Sequence, residues 1–152
     1  MITAYTHTSF TVSEIERSIR FYTDILGGKL TRRWERSGPE IQQVVGVKGA
    51  HLKMALVQIG TLNLELIQYA SGGAPAINPT INQPGTAHIG FSVDDVDKFA
   101  GQLGSKGVRF YGALASVPPA GSSPGTKPPP GARAVYFADP DGITLEIAQA
   151  LS

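Results

Sequence analysis

Hydrophobic and polar residues alternate at the start of the chain. In "YTHTSFTV", Thr8, Phe10 and Val12 fall on one side of an extended backbone while His7, Ser9 and Thr11 fall on the other, so Tyr5 to Val12 is predicted as a strand. The period then changes. Ile15, Ile19, Tyr22 and Leu26 recur at helical spacing, Ser13 stands as the N-cap with Glu16 completing a capping box, and Gly27 and Gly28 end the helix. Three more strands are predicted at "KLTRRW", "HLKMALVQI" and "TLNLELIQY", the last two joined by a turn at Gly60 and Thr61. The order is βαβββ.

That order is written a second time. "TAHIGFSV" repeats the opening strand, Asp94 takes the place of Ser13 with Asp97 three positions on, and Val96, Phe99, Ala100 and Leu103 form the helical stripe, stopped by Gly104 and Gly107. "VRFYG", "RAVYFAD" and "ITLEIAQ" supply the remaining strands, with "DPDG" as a turn. The expected fold class is therefore α+β, a single domain of two βαβββ modules at about residues 4–69 and 86–150. Residues 70–85, rich in Gly, Pro and Asn, are expected to be a linker. Residues 112–132, rich in Pro and Gly, are expected to be an insertion, either a mobile surface loop or a flap over a binding site.

The repeat has a fixed offset. His88 minus His7 is 81 positions, and Glu146 minus Glu65 is also 81. On each strand these residues oppose an apolar face: Leu62, Leu64 and Leu66 lie opposite Asn63 and Glu65, and Ile143, Leu145 and Ile147 lie opposite Thr144 and Glu146. If the two modules turn those polar faces inward, four candidate ligands converge. Burying two carboxylates without a cation would raise at least one pKa sharply, and a divalent ion removes that difficulty. Two imidazoles and two carboxylates suit Zn, Ni, Mn, Co or Fe, so His7, Glu65, His88 and Glu146 are expected to hold one divalent metal ion. His51, which has no counterpart in the second module, is expected at the rim.

Composition narrows the partners. The chain has 152 residues, a formal charge of +1 and no long run of Lys or Arg, which removes the electrostatic footprint for nucleic acid or an acidic membrane surface. Cysteine is absent, so thiolate metal sites, disulfides and a cysteine nucleophile are excluded. No segment reaches the roughly 18 apolar residues of a membrane helix and no basic-then-apolar leader opens the chain, so a cytoplasmic location is expected.

The stretches "HTSFTVSEIERSIRFYTDILGG", "LELIQY", "HIGFSVDDVD" and "YFADPDGITLEI" resemble the vicinal oxygen chelate superfamily of glyoxalase I, methylmalonyl-CoA epimerase, extradiol dioxygenases and the fosfomycin and bleomycin resistance proteins. The resemblance runs from about Tyr5 to Gln149. It implies paired βαβββ modules in a U-shaped mixed-sheet cup, metal ligands at His7, Glu65, His88 and Glu146, and frequently a homodimer. It also implies a small-molecule substrate with neighbouring oxygens. The His, Glu, His, Glu set looks most like the glyoxalase and epimerase members. Their shared chemistry is proton transfer next to a metal-chelated carbonyl, as a lyase or isomerase, with Glu146 or Glu65 as the base. An iron-dependent extradiol dioxygenase, or a non-catalytic binding or resistance protein, is the alternative. One position departs from the pattern: Thr11 stands where glyoxalase I enzymes usually carry an arginine for a glutathione carboxylate, which argues against a glutathione conjugate.

Overall fold

The computed structural model of the chain describes residues 1–75, 77, 80–119, 121 and 131–151. Two compact units divide the chain, Met1–Ile77 and Asn78–Ser152, and each builds a four-stranded mixed sheet with few helices, an α+β fold.

In the first unit β1 (Thr8–Thr11) leads into α1 (Ile15–Arg20) and a π-helical turn at Phe21–Ile25, followed by β2 (Lys29–Ser37), α2 (Pro39–Val45), β3 (His51–Ile59) and β4 (Leu62–Ser71). The strand order is β1-β4-β3-β2, with β1 parallel to β4 and the other pairs antiparallel. The second unit runs β5 (His88–Ser92), α3 (Val96–Ser105), β6 (Ala115–Val117), β7 (Ala132–Ala138) and β8 (Thr144–Ala150) in the order β5-β8-β7-β6, again with one parallel pair, β5 and β8. No helix among the described residues is long and apolar enough to cross a membrane.

Alternation along the strands decides where each core sits. Leu64 and Leu66 on β4 and Ala55 and Val57 on β3 are fully buried beneath α1, together with Ile15, Ile19 and Tyr22. Phe137, Leu145 and Ile147 play the same part beneath Val96 and Leu103 of α3. Each large side chain removed from water in this way contributes roughly 1.5–3 kcal/mol.

Both helices start one residue later than the capping pattern suggests. The N-caps are Glu14, whose carboxylate accepts from the backbone N–H groups of Glu16 and Arg17, and Asp95, which accepts from Lys98. The expected caps, Ser13 and Asp94, sit just past the last ladder bonds, Val12 N–H to Ile67 and Val93 N–H to Ala148, so the chain takes one more extended residue before it coils. Ser13 instead accepts from the Arg17 guanidinium at 2.9 Å, and Glu16 pairs with Arg33. The π-helical turn is a second departure: its wider spacing buries the adjacent rings of Phe21 and Tyr22 together, edge to face at 5.2 Å. Gly28 closes that turn where only glycine fits, because a Cβ would lie 2.7 Å from the Tyr22 carbonyl.

Three further differences concern connections. α2 lies between the predicted strands of the first unit. In the second unit "VRFYG" forms only an isolated bridge, Phe110 to Phe137, flanked by single backbone bonds from the Ala138 N–H to the Arg109 carbonyl and from the Tyr111 N–H to the Tyr136 carbonyl. Pairing resumes at β6, inside the expected insertion at 112–132, so that segment is part strand; its residues 120 and 122–130 lie outside the described residues.

Candidate functional site

The parallel pairing of first and last strands brings the matched residues together within each unit. Glu65 on β4 stands opposite Ser9 on β1, and Glu146 on β8 stands opposite Gly90 on β5. In each unit the residue two positions before that partner is histidine, His7 immediately before β1 and His88 at the first position of β5, one pleat away along the extended chain. His7 Nε2 lies 3.5 Å from Glu65 Oε2, and His88 Nε2 lies 3.3 Å from Glu146 Oε2. Both pairs project from the sheet face opposite the helix.

The pairs are alike in exposure at the imidazole and differ at the carboxylate. The histidine side chains are 45% and 46% exposed, whereas Glu65 is 13% and Glu146 is 24% exposed. Thr6 engages His7 Nδ1 at 3.0 Å, which fixes the ring with Nε2 toward Glu65. Donor atoms bound about 2.1 Å from one ion at a tetrahedral angle stand about 3.4 Å apart, so the chemistry and spacing of each pair fit two ligand positions of a divalent metal. Each unit holds one such pair of donors. No group of three or more His, Asp or Glu side chains placed to hold a metal ion occurs among the described residues.

Neighbours across the sheet make the two glutamates unequal. Glu65 lies in a row with Ser9, Leu56 and Arg32, whereas Glu146 lies in a row with Gly90 and Tyr136. A Cβ at position 90 would meet Glu146 Oε2 at 3.3 Å, so glycine gives this carboxylate its room. The Tyr136 ring meets His88 edge-on at 5.0 Å, which puts a phenol against the second pair. Sequence reasoning missed Tyr136. The alternation in "RAVYFAD" already set it opposite Val135 and Phe137, and counting back through the "DPDG" turn would have placed it beside Glu146.

His51 belongs to neither pair. Its Nε2 is 2.6 Å from Glu35 on the neighbouring strand, a partner that accounts for it structurally. A hollow of about 440 Å³ in the second unit lies at the start of α3, lined by Ser92, Asp94, Asp95 and Lys98 among others, and includes neither His88 nor Glu146.

With two βαβββ units and a His–Glu pair in each, the chain belongs to the Glyoxalase/Bleomycin resistance protein/Dioxygenase superfamily, whose family model matches residues 4–147. Among individual relatives, it is 31% identical over 146 residues to a 2-epi-5-epi-valiolone epimerase from an Actinomyces species, covering 93% of this chain and 76% of that protein. It is 30% identical over 132 residues to a lactoylglutathione lyase of Arabidopsis thaliana, covering 86% of this chain and 40% of that protein. The fold is similar to that of a glyoxalase family protein from Bacillus cereus, with a TM-score of 0.81 at 20% identity over 100% of this chain and 97% of the other. A fosfomycin resistance protein from Listeria monocytogenes has a TM-score of 0.61 at 18% identity, covering 99% and 96% of the two chains.

Proposed function

We propose that the protein is a metal-dependent proton-transfer enzyme, an epimerase or a related isomerase or lyase, acting next to the carbonyl of a small oxygen-rich molecule. His7, Glu65, His88 and Glu146 are its metal ligands in this reading. The observation that carries it is the recurrence of one His–Glu pair, at 3.5 Å and 3.3 Å, at the same strand register in both units. Similarity to an epimerase and to a lyase supports proton transfer as the chemistry. Thr11, in place of a cation on β1, favours a ketone free of glutathione.

A divalent ion held by these residues supplies Lewis-acid polarisation of the carbonyl. The protein's own part follows from the inequality of the two carboxylates. Glu146, the more open of the two and cleared by Gly90, takes the proton from the carbon beside the carbonyl and returns it. The Tyr136 hydroxyl holds a substrate oxygen in place beside it. Glu65, drier and flanked by Leu56, remains a ligand. The same reading has the protein working as a cytoplasmic homodimer.

Elemental analysis tests the site. Purified wild-type protein is expected to carry one transition-metal ion per chain, and His88→Ala to lose it while keeping its circular dichroism spectrum. Metal absent from the wild type, or retained in full by His88→Ala, overturns the ligand assignment. For the chemistry, deuterium from solvent is expected to enter the substrate carbon during turnover, and turnover without exchange would exclude the proton-transfer reading.

A further inference from the structure

Strand β2 carries charge on both of its faces, and the two faces are treated differently. On the helix side each charged side chain has a hydrogen-bond partner: Arg33 donates to Glu16 through two guanidinium hydrogen bonds, and Glu35 is bonded to His51. On the other side stand Arg32, Trp34 and Arg36, opposite Leu56, Met54 and Leu52 of β3. Neither Arg32 nor Arg36 has a carboxylate partner among the described residues. The Arg32 guanidinium is instead laid over the Trp34 ring, 4.9 Å from its centroid.

This is the face that carries Glu65 and His7. Arg32 is directly in line with Leu56 and Glu65 across three adjacent strands, which places its backbone about 10 Å from that of Glu65. The floor between them is apolar, formed by Leu56 and Met54. An arginine stacked on tryptophan keeps its outward N–H groups free and pre-aligned, and a planar fork of donors matches an oxyanion.

We propose that Arg32 and Arg36, on either side of Trp34, form a subsite for an anionic group on the substrate. The substrate class is then an α-hydroxyketone or related compound with its neighbouring oxygens at one end and a phosphate or carboxylate at the other. This deepens the metal reading of the same face and rests on it for the position of the ketone end. Edge strands also carry charge to discourage pairing with other chains, but that role needs neither the tryptophan nor charges left unmatched on one face only.

Trp34 is the sole tryptophan of the chain, so its fluorescence reports the subsite directly. The experiment titrates ribulose and ribulose 5-phosphate, with inorganic phosphate alone as a third probe, into metal-free and manganese-loaded protein while following Trp34 emission. The phosphate ester is expected to bind about tenfold or more tightly than the free sugar. That advantage is expected to vanish in the Arg32→Gln/Arg36→Gln double variant and to survive in Arg33→Gln, which removes a charge from the same strand on the other face. Equal binding of the two sugars, an advantage that persists in the double variant, or one lost equally in Arg33→Gln overturns the proposal. Glu65→Gln separates the two readings: it is expected to lose manganese and keep the phosphate advantage. A wild-type protein that binds none of manganese, zinc, nickel, cobalt and iron ends the metal reading alone, and the metal-free titration then still decides the subsite.

Discussion

Gln149 reaches across from β8 to accept the backbone N–H of Val96, the first residue of α3, at 3.1 Å. Gln68 does the same for Ile15 of α1 at 3.0 Å, so the last strand of each unit is tied to the first turn of its helix. The N–H groups at a helix start have no partner within the helix, and these are part-buried, so losing the acceptor leaves a donor stranded. Gln149→Leu and Gln68→Leu are each expected to lower stability by about 1–2 kcal/mol. Urea midpoints check this, and variants as stable as the wild type would show that the tie contributes nothing.

Two exposed ion pairs set an acid limb. The guanidinium hydrogen bond from Arg33 holds the Glu16 carboxyl below its ordinary value, and Arg133 does the same for Asp97. A carboxylate whose pKa is lower in the folded state stabilises the fold above its unfolded pKa and loses that contribution as the pH falls through the folded one. The loss therefore begins near the ordinary glutamate value of about 4.3 and deepens below it. Glu16→Gln is expected to cost no more than about 1 kcal/mol at neutral pH, because both partners are half exposed, and to flatten the acid limb. Denaturation midpoints measured from neutral to acidic pH, with and without high salt, check the slope.

Gly90→Ala separates stability from activity. Alanine suits a strand better than glycine, so the fold is expected to hold or to gain up to about 1 kcal/mol. The new Cβ pushes on Glu146 Oε2, and metal affinity and turnover are expected to fall about tenfold. Calorimetric metal titration beside thermal melting reads both effects, and a variant with unchanged metal binding would remove the steric argument.

Tyr136→Phe keeps the ring against His88 and deletes only the hydroxyl. Metal content and melting temperature are expected to stay at wild-type values while kcat falls about tenfold, the scale of one hydrogen bond lost in the transition state. An unaltered kcat would confine Tyr136 to packing.

Much of the fold is legible in the alternation of residues. Strand β3 is visible in full as "HLKMALVQI", since Ala55 and Val57 are buried while Leu56 and Gln58 between and after them are not, the alternation of a half-buried strand. The helix stripe of Ile15, Ile19 and Tyr22 is equally plain. Less legible are features set by competition between neighbours. Ser13 and Glu14 can both cap a helix, and the last ladder bond at Val12 selects the second. α2 carries its signals in Pro39 and Gly46, but it is short and buries nothing, so no apolar period marks it. The break between Phe110 and β6 depends on where pairing with β7 stops, which local pattern does not encode. For the site, the offset of 81 positions exposes the four residues of the two pairs, while the cross-strand neighbours that distinguish them, Leu56 and Tyr136, emerge only once the strands are in register.

That difference in neighbours bears on how a doubled chain acquires a direction. Twin halves begin with interchangeable acids and nothing to choose between them. In the proposed mechanism a leucine beside one and a phenol with a cleared patch beside the other break the tie, the first acting as an anchor and the second freed for work. On that reading a change of reaction falls on the half around Glu146, while the half around Glu65, with Arg32 and Arg36 on the same face, keeps hold of the ion and of the substrate's far end.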